Sequence, residues 1–264
     1  MTRKDFGEIY SYAKEKGFLI SVFISGYFLS QQNLELFKRQ PPFVIEMTLN
    51  AVSEQLHEYI SRVKGSFAKA IQTIETLTKE KIPLKIKTLV TKDNLSQIPG
   101  IKKFLSLRGF SFFPDYHLFA RLNGDTSVCQ LRVSAGDVMV LIDKKKSNNR
   151  ICGAVPKLKD YGNKLFWCAL GAGQKFHIDP YGNLFLCPGI RNPSVSVVER
   201  TINPVFRKML QKVRKSTFSA RSKCANCRIR SWCLYCPGKA YLETKDMESF
   251  SDYYCQLTKE FLAR

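Results

Sequence analysis

Apolar positions along the first 115 residues switch between two periods. Short apolar runs at 18–24 (Phe18-Leu19-Ile20-Ser21-Val22-Phe23-Ile24), 43–48, 84–90 and 110–113 read as strands. Between them, 5–16, 30–38, 53–79 and 95–107 space their apolar residues by three and four and read as helices. Ser30 opens the second of these and Gly65 breaks the third. Strands that alternate with helices form βα units, and successive βα units build a parallel sheet covered by helices, so the fold class expected is α/β. The chain opens on a helix with no strand before it, which leaves a sheet edge to be covered.

Residues 126–160 pattern as a connector, with a short helix near 134–142 and a polar run from Asp143 to Arg150 that suits a solvated loop. Beyond it, 174–178 and 184–186 flank Asp179-Pro180-Tyr181-Gly182-Asn183 as a β-hairpin, with Gly182 able to take positive φ in the turn. Asn203 is placed to cap a helix with Pro204 at its first position, and Val205, Phe206, Met209, Leu210 and Val213 share one face. The organisation expected is therefore a first domain at 1–125, a connector at 126–160 and a second domain at 161–264. No apolar run approaches the ~20 residues that span a bilayer. Met1 to Asp5 lead into an amphipathic segment rather than a signal-peptide stretch, so a cytoplasmic location is the default expectation.

Composition adds a folded, strongly basic character. The 264 residues hold 42 Lys+Arg against 22 Asp+Glu, a formal charge of +20, and 44% are hydrophobic, which excludes a disordered chain. That charge would suit nucleic acid or an anionic membrane surface. Residues 200–230 carry ten Lys/Arg and no Asp/Glu. No helix-turn-helix, RNP or finger signature accompanies them, and charge balance beside something anionic in the fold explains them as well. Phosphate-loop glycines, His-Glu-x-x-His and a Ser/His/Asp arrangement are all missing.

The cysteines carry the chemistry. There are nine, and seven follow Cys168-x13-Gly182-x4-Cys187, then Cys224-x2-Cys227-x5-Cys233-x2-Cys236, then Cys255. Without a secretory context, metal ligation is a better reading than a disulfide framework. Each C-x2-C step turns two thiolates toward one centre, a geometry that zinc and iron–sulfur sites share. The x5 interval is shorter than the usual zinc-ribbon spacing of about 15–20 residues. His177 is the lone histidine of this region and reads as a structural strand residue. Cys129 and Cys152 read as buried thiols.

This tail resembles the SPASM domain of radical S-adenosylmethionine (SAM) enzymes, whose pattern is C-x9-15-G-x4-C, a gap, C-x2-C-x5-C-x3-C, a gap and C. The match departs only at the x2 between Cys233 and Cys236, and Ile178 to Gly182 and Cys236-Pro237-Gly238-Lys239-Ala240-Tyr241 extend it. The resemblance implies two auxiliary 4Fe-4S clusters, one on Cys224, Cys227, Cys233 and Cys255, the other with three ligands from Cys168, Cys187 and Cys236. Its fourth ligand would be Cys152, an exogenous group or an open iron. With four thiolates such a centre carries about −2, and the basic run before it would stabilise the reduced form.

Residues 5–114 resemble the middle of a radical SAM barrel. The fold implied is an incomplete parallel β/α (partial TIM-type) barrel followed by a small cysteine-rich α+β SPASM domain. The family's C-x3-C-x2-C motif, which holds the SAM-cleaving cluster, is missing, and the family's Thr-Asn-Gly and Ser-Leu-Asp-Gly stand here as Ile24-Ser25-Gly26 and Thr48-Leu49-Asn50-Ala51. Ser61 aligns with an arginine often found at the end of the next helix. The resemblance thus implies a family member lacking its N-terminal catalytic segment and unable to form the 5′-deoxyadenosyl radical. It implies a peptide or protein substrate, an electron donor such as a ferredoxin or flavodoxin, and S-adenosyl-L-methionine as the family's cofactor. Two alternatives are a cluster-binding module whose partner supplies the chemistry, and a basic zinc protein acting on nucleic acid.

Overall fold

The computed structural model describes residues 3–141, 162–166, 168, 171, 173–198, 200–233 and 235–263. They form two compact units, one holding the chain up to His117 with Leu131–Val133, the other holding Leu118–Gln130 and the chain from Ser134 onward.

The first unit is a parallel α/β layer. Strands β1 (Ser21–Ile24), β2 (Val44–Thr48), β3 (Leu84–Leu89) and β4 (Phe113–Asp115) hydrogen-bond in sequence order, every pair parallel. Helix α1 (Phe6–Glu15) precedes β1. α2 (Gln31–Arg39), the pair α3 (Glu54–Ser61) and α4 (Ser66–Lys79), and α5 (Ile98–Ser106) connect the strands. Ser30 caps α2 by accepting the Asn33 N–H, as its place before the helical run predicts. Gly65, at φ +75°, separates α3 from α4.

Strand alternation sorts the sheet into two faces. Val22, Ile45, Met47, Ile86 and Thr88 are buried, and Val22 and Ile45 pack with Tyr10, Leu34, Phe37, Leu77 and Ile82. The Tyr10 ring meets Phe37 edge-on at 5.4 Å and its hydroxyl donates to the Gln40 carbonyl at 2.7 Å, which fixes α1 to α2. The other face carries Glu46 between Lys85 and Lys87. Glu46 pairs with Lys87 and, at 3.8 Å, with Lys85, while the two ammonium groups lie over the rings of Phe23 and Phe113.

The fourth strand falls at 113–115 rather than at 110–113. Gly109, at φ +76°, ends α5, and the Phe110 N–H closes back on the Leu105 carbonyl, so residue 110 belongs to the helix cap. Pro114, with no N–H to give, is accommodated because β4 is an edge strand.

In the second unit, β5 (His177–Ile178), β6 (Asn183–Phe185) and β7 (Val195–Ser196) form an antiparallel sheet in that order. The expected hairpin is present, with Gly182 at φ +78° and the Asp179 carboxylate accepting the Tyr181 and Asn183 N–H groups at 2.9 Å each. Those donors hold the Asp179 carboxyl below its usual range. Helices α6 (Ala135–Leu141) and α9 (Asp252–Leu262) pack on each other, and α7 (Ile202–Lys215) and α8 (Pro237–Thr244) lie between them in sequence. Helix α7 begins at Ile202 after Thr201, not at an Asn203 cap. Pro204 sits inside the first turn, where a missing N–H costs nothing. Of the expected connector at 126–160, residues up to 141 are described and 142–160 are not. Among the described residues no helix is long and apolar enough to cross a membrane.

One buried group makes the first unit sensitive to pH. His57 on α3 is 3% exposed, its ring lies edge-on to Phe67 at 5.7 Å, and Nδ1 has no hydrogen-bond partner among the described residues. Burial pushes its pKa down, against a smaller opposing pull from Glu58. The unfolded chain takes up a proton near the ordinary value of about 6.5 and the native state does not, so stability falls as pH drops through that value. The melting temperature is expected to fall between about pH 7.5 and about pH 5.5 and His57→Leu to remove most of that fall, measured by thermal unfolding at both values.

Candidate metal centre

The second unit builds its cysteine sites on one apolar core. Leu165, Phe166, Leu184, Leu186, Ile190, Met209, Val213, Phe218 and Cys224 are buried together, and Cys168 and Cys187 pack against them. None of the eight described cysteines forms a disulfide.

Cys224 and Cys227 lie on a chain of tight turns. The Cys224 N–H donates to Ser222 Oγ, whose hydroxyl donates to the Glu248 carbonyl, and the Cys227 N–H donates to the Cys224 carbonyl. Arg230 holds these turns from beneath, donating to the Ala225 and Gly162 carbonyls while its guanidinium lies 5.3 Å over the Phe218 ring. Cys233 follows the 3-10 turn Arg230–Trp232, and Cys255 stands in the first turn of α9. This brings four thiols into mutual range. Burial pushes the Cys224 thiol up to about 11, and Cys255, Cys233 and Cys227 add to that rise. Cys255 is likewise pushed up by burial and then by Cys233 and Cys227, with Lys259 opposing.

A second group forms around Cys187. Gly182 reverses the chain, so β6 runs back to the Cys187–Ile190 turn. Burial pushes the Cys187 thiol up, the Gly189 backbone N–H pulls it partly back, and Cys236 and Cys168 raise it again. Cys236 is the residue preceding α8, with Pro237 at the first helical position. Gly238 lets this helix start approach the turn, since a Cβ there would stand 3.0 Å from Ile190 Cγ1 and 3.2 Å from the Gly189 carbonyl oxygen.

Both groups meet at Tyr235. Its hydroxyl donates to the Met247 carbonyl, its ring lies 5.5 Å from Phe218, and its pKa is raised by burial and then by Cys224 and Cys236, one from each group. A cavity beside Tyr235 is lined by Cys224, Cys233 and Cys255 of the first group and by Cys236. Cys236 therefore faces the first group as well as Cys187. Sequence reasoning missed Tyr235, although its place between Cys233 and Cys236 was a usable signal. It also missed Thr258, three residues after Cys255 on the same helix, whose Oγ1 lies 3.6 Å from Cys233 Sγ.

The donor set fits a cationic centre. Burial and neighbouring sulfurs favour the protonated form of Cys224, Cys255 and Cys187, and a metal supplies the positive charge that lets thiols ionise. Among the described residues no three His, Cys, Asp or Glu side chains close around a single ion. A zinc ion, with Zn–S bonds of about 2.3 Å, draws its ligands to one point, whereas a four-iron cluster takes them at separate corners.

The remaining sequence candidates have structural places. His177 stacks on Phe185 at 5.8 Å and an interplanar angle of 9°. Cys129 is half-buried in the 3-10 turn Ser127–Leu131 rather than fully buried, and Cys152 lies outside the described residues. In the first unit, Gly26 has φ +82° and a Cβ there would stand 2.7 Å from Met47 Sδ; its carbonyl accepts the Thr73 hydroxyl at 2.7 Å. The Asn50 carbonyl accepts Asn94 Nδ2 at 2.9 Å, and the buried Asn94 also bonds the Leu89 carbonyl and the Thr91 N–H. Ser61 Oγ accepts the Val63 N–H and lies 2.7 Å from Ser66 Oγ.

No protein-family model matches the chain. The AdoMet-dependent heme synthase of Methanosarcina barkeri is 21% identical over 271 residues, 93% of this chain and 77% of that protein. Streptococcus suis SuiB bound to S-adenosylmethionine superposes with a TM-score of 0.70 at 15% identity, over 96% of this chain. The fold is that of the radical SAM proteins. A second radical SAM structure, anSMEcpe with bound AdoMet and the Kp18Cys peptide, gives a TM-score of 0.65 at 14% identity over 97% of this chain and 78% of its own. SuiB is also known bound to its precursor peptide SuiA, with a TM-score of 0.71 at 15% identity. The chain spans 63% of the AdoMet-bound SuiB chain.

The Gly238 contact yields a test of the second group. Gly238→Val is expected to destabilise the second unit by about 1–3 kcal/mol, because its branched side chain overfills the contact with Ile190 and Gly189. Urea unfolding measures it, and an unchanged midpoint would show that the close approach is dispensable.

Proposed function

We propose that this chain is an iron–sulfur protein of the radical SAM/SPASM group that binds up to two auxiliary 4Fe-4S clusters and serves electron transfer or substrate contact in the modification of a peptide or protein. Cys224, Cys227, Cys233 and Cys255 hold one cluster. Cys168, Cys187 and Cys236 supply three ligands to the other, in a cluster domain at 161–264 joined by a connector at 126–160 to the partial barrel at 1–125. The observation that carries the reading is the gathering of spaced cysteines into two groups, Cys224 and Cys255 with Cys227 and Cys233, and Cys187 with Cys168 and Cys236, both reaching the Tyr235 neighbourhood.

When bound, the clusters supply one-electron chemistry. The chain's residues do the rest. Phe218, Leu184 and Tyr235 shield the buried Cys224, Arg230 fixes the turn that carries Cys224 and Cys227, and Lys259 opposes the negative charge at Cys255. A peptide substrate is proposed by analogy with SuiB and anSMEcpe, whose structures hold peptides. The electron donor is a ferredoxin or flavodoxin, and the site of action the cytoplasm.

Protein reconstituted without oxygen is expected to hold about eight irons and eight sulfides per chain, and Cys224→Ala to lose roughly half. About one or two zincs, without thiolate-to-iron absorption, would replace the cluster reading with a zinc one.

Gly26, Asn50 and Ser61 are committed to packing and loop hydrogen bonds, which favours a second reading in which a partner supplies the SAM chemistry. The isolated chain is then expected to give no 5′-deoxyadenosine above a no-protein control under a strong reductant. Product above that control, measured by chromatography, would overturn the inability to cleave SAM.

A further inference from the structure

A fully buried hydroxyl needs a partner, and Thr258 on α9 has two competing for one proton. Its Oγ1 lies 2.8 Å from the Tyr254 carbonyl oxygen and 3.6 Å from Cys233 Sγ. The carbonyl contact is the shorter, so a neutral Cys233 sulfur takes the weaker share of the hydroxyl proton. As a cluster ligand the sulfur is an anionic acceptor, and a hydroxyl turned to the carbonyl leaves its lone pairs facing that charge.

Turning the hydroxyl proton to the sulfur removes that conflict. The Tyr254 carbonyl is not orphaned by the change, since it lies four residues before Thr258 in α9 and keeps the helical Thr258 N–H. We propose that Thr258 is a tuning residue: when Cys233 becomes a cluster ligand, the Thr258 hydroxyl passes from the Tyr254 carbonyl to the Cys233 sulfur and raises the reduction potential of the cluster on Cys224, Cys227, Cys233 and Cys255. This inference rests on the cluster reading above. Reduction adds one electron to the centre, part of the new charge falls on the ligand sulfurs, and a donor to one of them stabilises the reduced form more than the oxidised one. The effect is local to Cys233, so the second cluster keeps its potential.

The test is a redox titration of the whole reconstituted protein with dithionite as the electron source, following the EPR signal that Cys224→Ala abolishes. Thr258→Val keeps the branched shape and removes the hydroxyl, and is expected to shift the reduction equilibrium about tenfold toward the oxidised form, about 59 mV lower for a one-electron couple. Thr258→Ser, which keeps the hydroxyl, is expected to restore the wild-type value, a rescue that a packing role alone would not give. If Thr258→Val fails to take up iron, Thr258→Ala carries the same expectation. Equal potentials for the wild type and the hydroxyl-free variant, with iron content intact, would overturn the inference and leave the cluster reading standing. Wild-type protein that takes up no iron overturns both.

Discussion

Crowded thiols can ionise together only if something offsets their charge. Cys233 and Cys227 make ionisation of both Cys224 and Cys255 harder, and burial adds the largest share. The second unit is organised around that constraint. Its apolar core carries Cys224 as one of its own buried members, Arg230 donates to the Ala225 carbonyl within the turns, and Tyr235 lies beside both groups while its hydroxyl is occupied by the Met247 carbonyl. A cationic centre converts mutual repulsion into ligation, and the proposed clusters would supply one.

The first unit obeys a different constraint. Its parallel strands must bury one face, and Ile45, Met47 and Ile86 do so, while the opposite face neutralises its own Glu46 with Lys85 and Lys87. At the strand ends, polar side chains serve the backbone. Asn94 satisfies three backbone groups and Gln97 accepts the Val52 and Ser53 N–H groups, so the loop after β2 is tied down by its neighbours. Strand-end polar residues thus hold the loops of this fold in place.

Much of this was legible before the structure. The strand and helix runs of the first unit were readable from periodicity, because a two-sided sheet and amphipathic helices leave different spacing in the sequence. The fourth strand was displaced because Phe110 has two uses, strand residue by propensity and helix cap by the geometry at Gly109, and only the hydrogen bond to Leu105 decides between them. Asn203 looked like a cap for a similar reason, since Pro204 tolerates any place in the first helical turn. Cys129 looked buried by residue type and is half-buried in its turn.

By itself the sequence determined the chemistry available: seven spaced cysteines and the Gly182 turn that brings Cys187 back. These are local properties, written in spacing and residue type. Only the tertiary structure decided which thiols meet, that Cys236 faces both groups, that Gly238 permits its approach, and that the Thr258 hydroxyl stands between a carbonyl and a sulfur. Such facts depend on contacts between segments far apart in the chain, and hydrophobic packing sets those contacts without leaving a period or a motif to read.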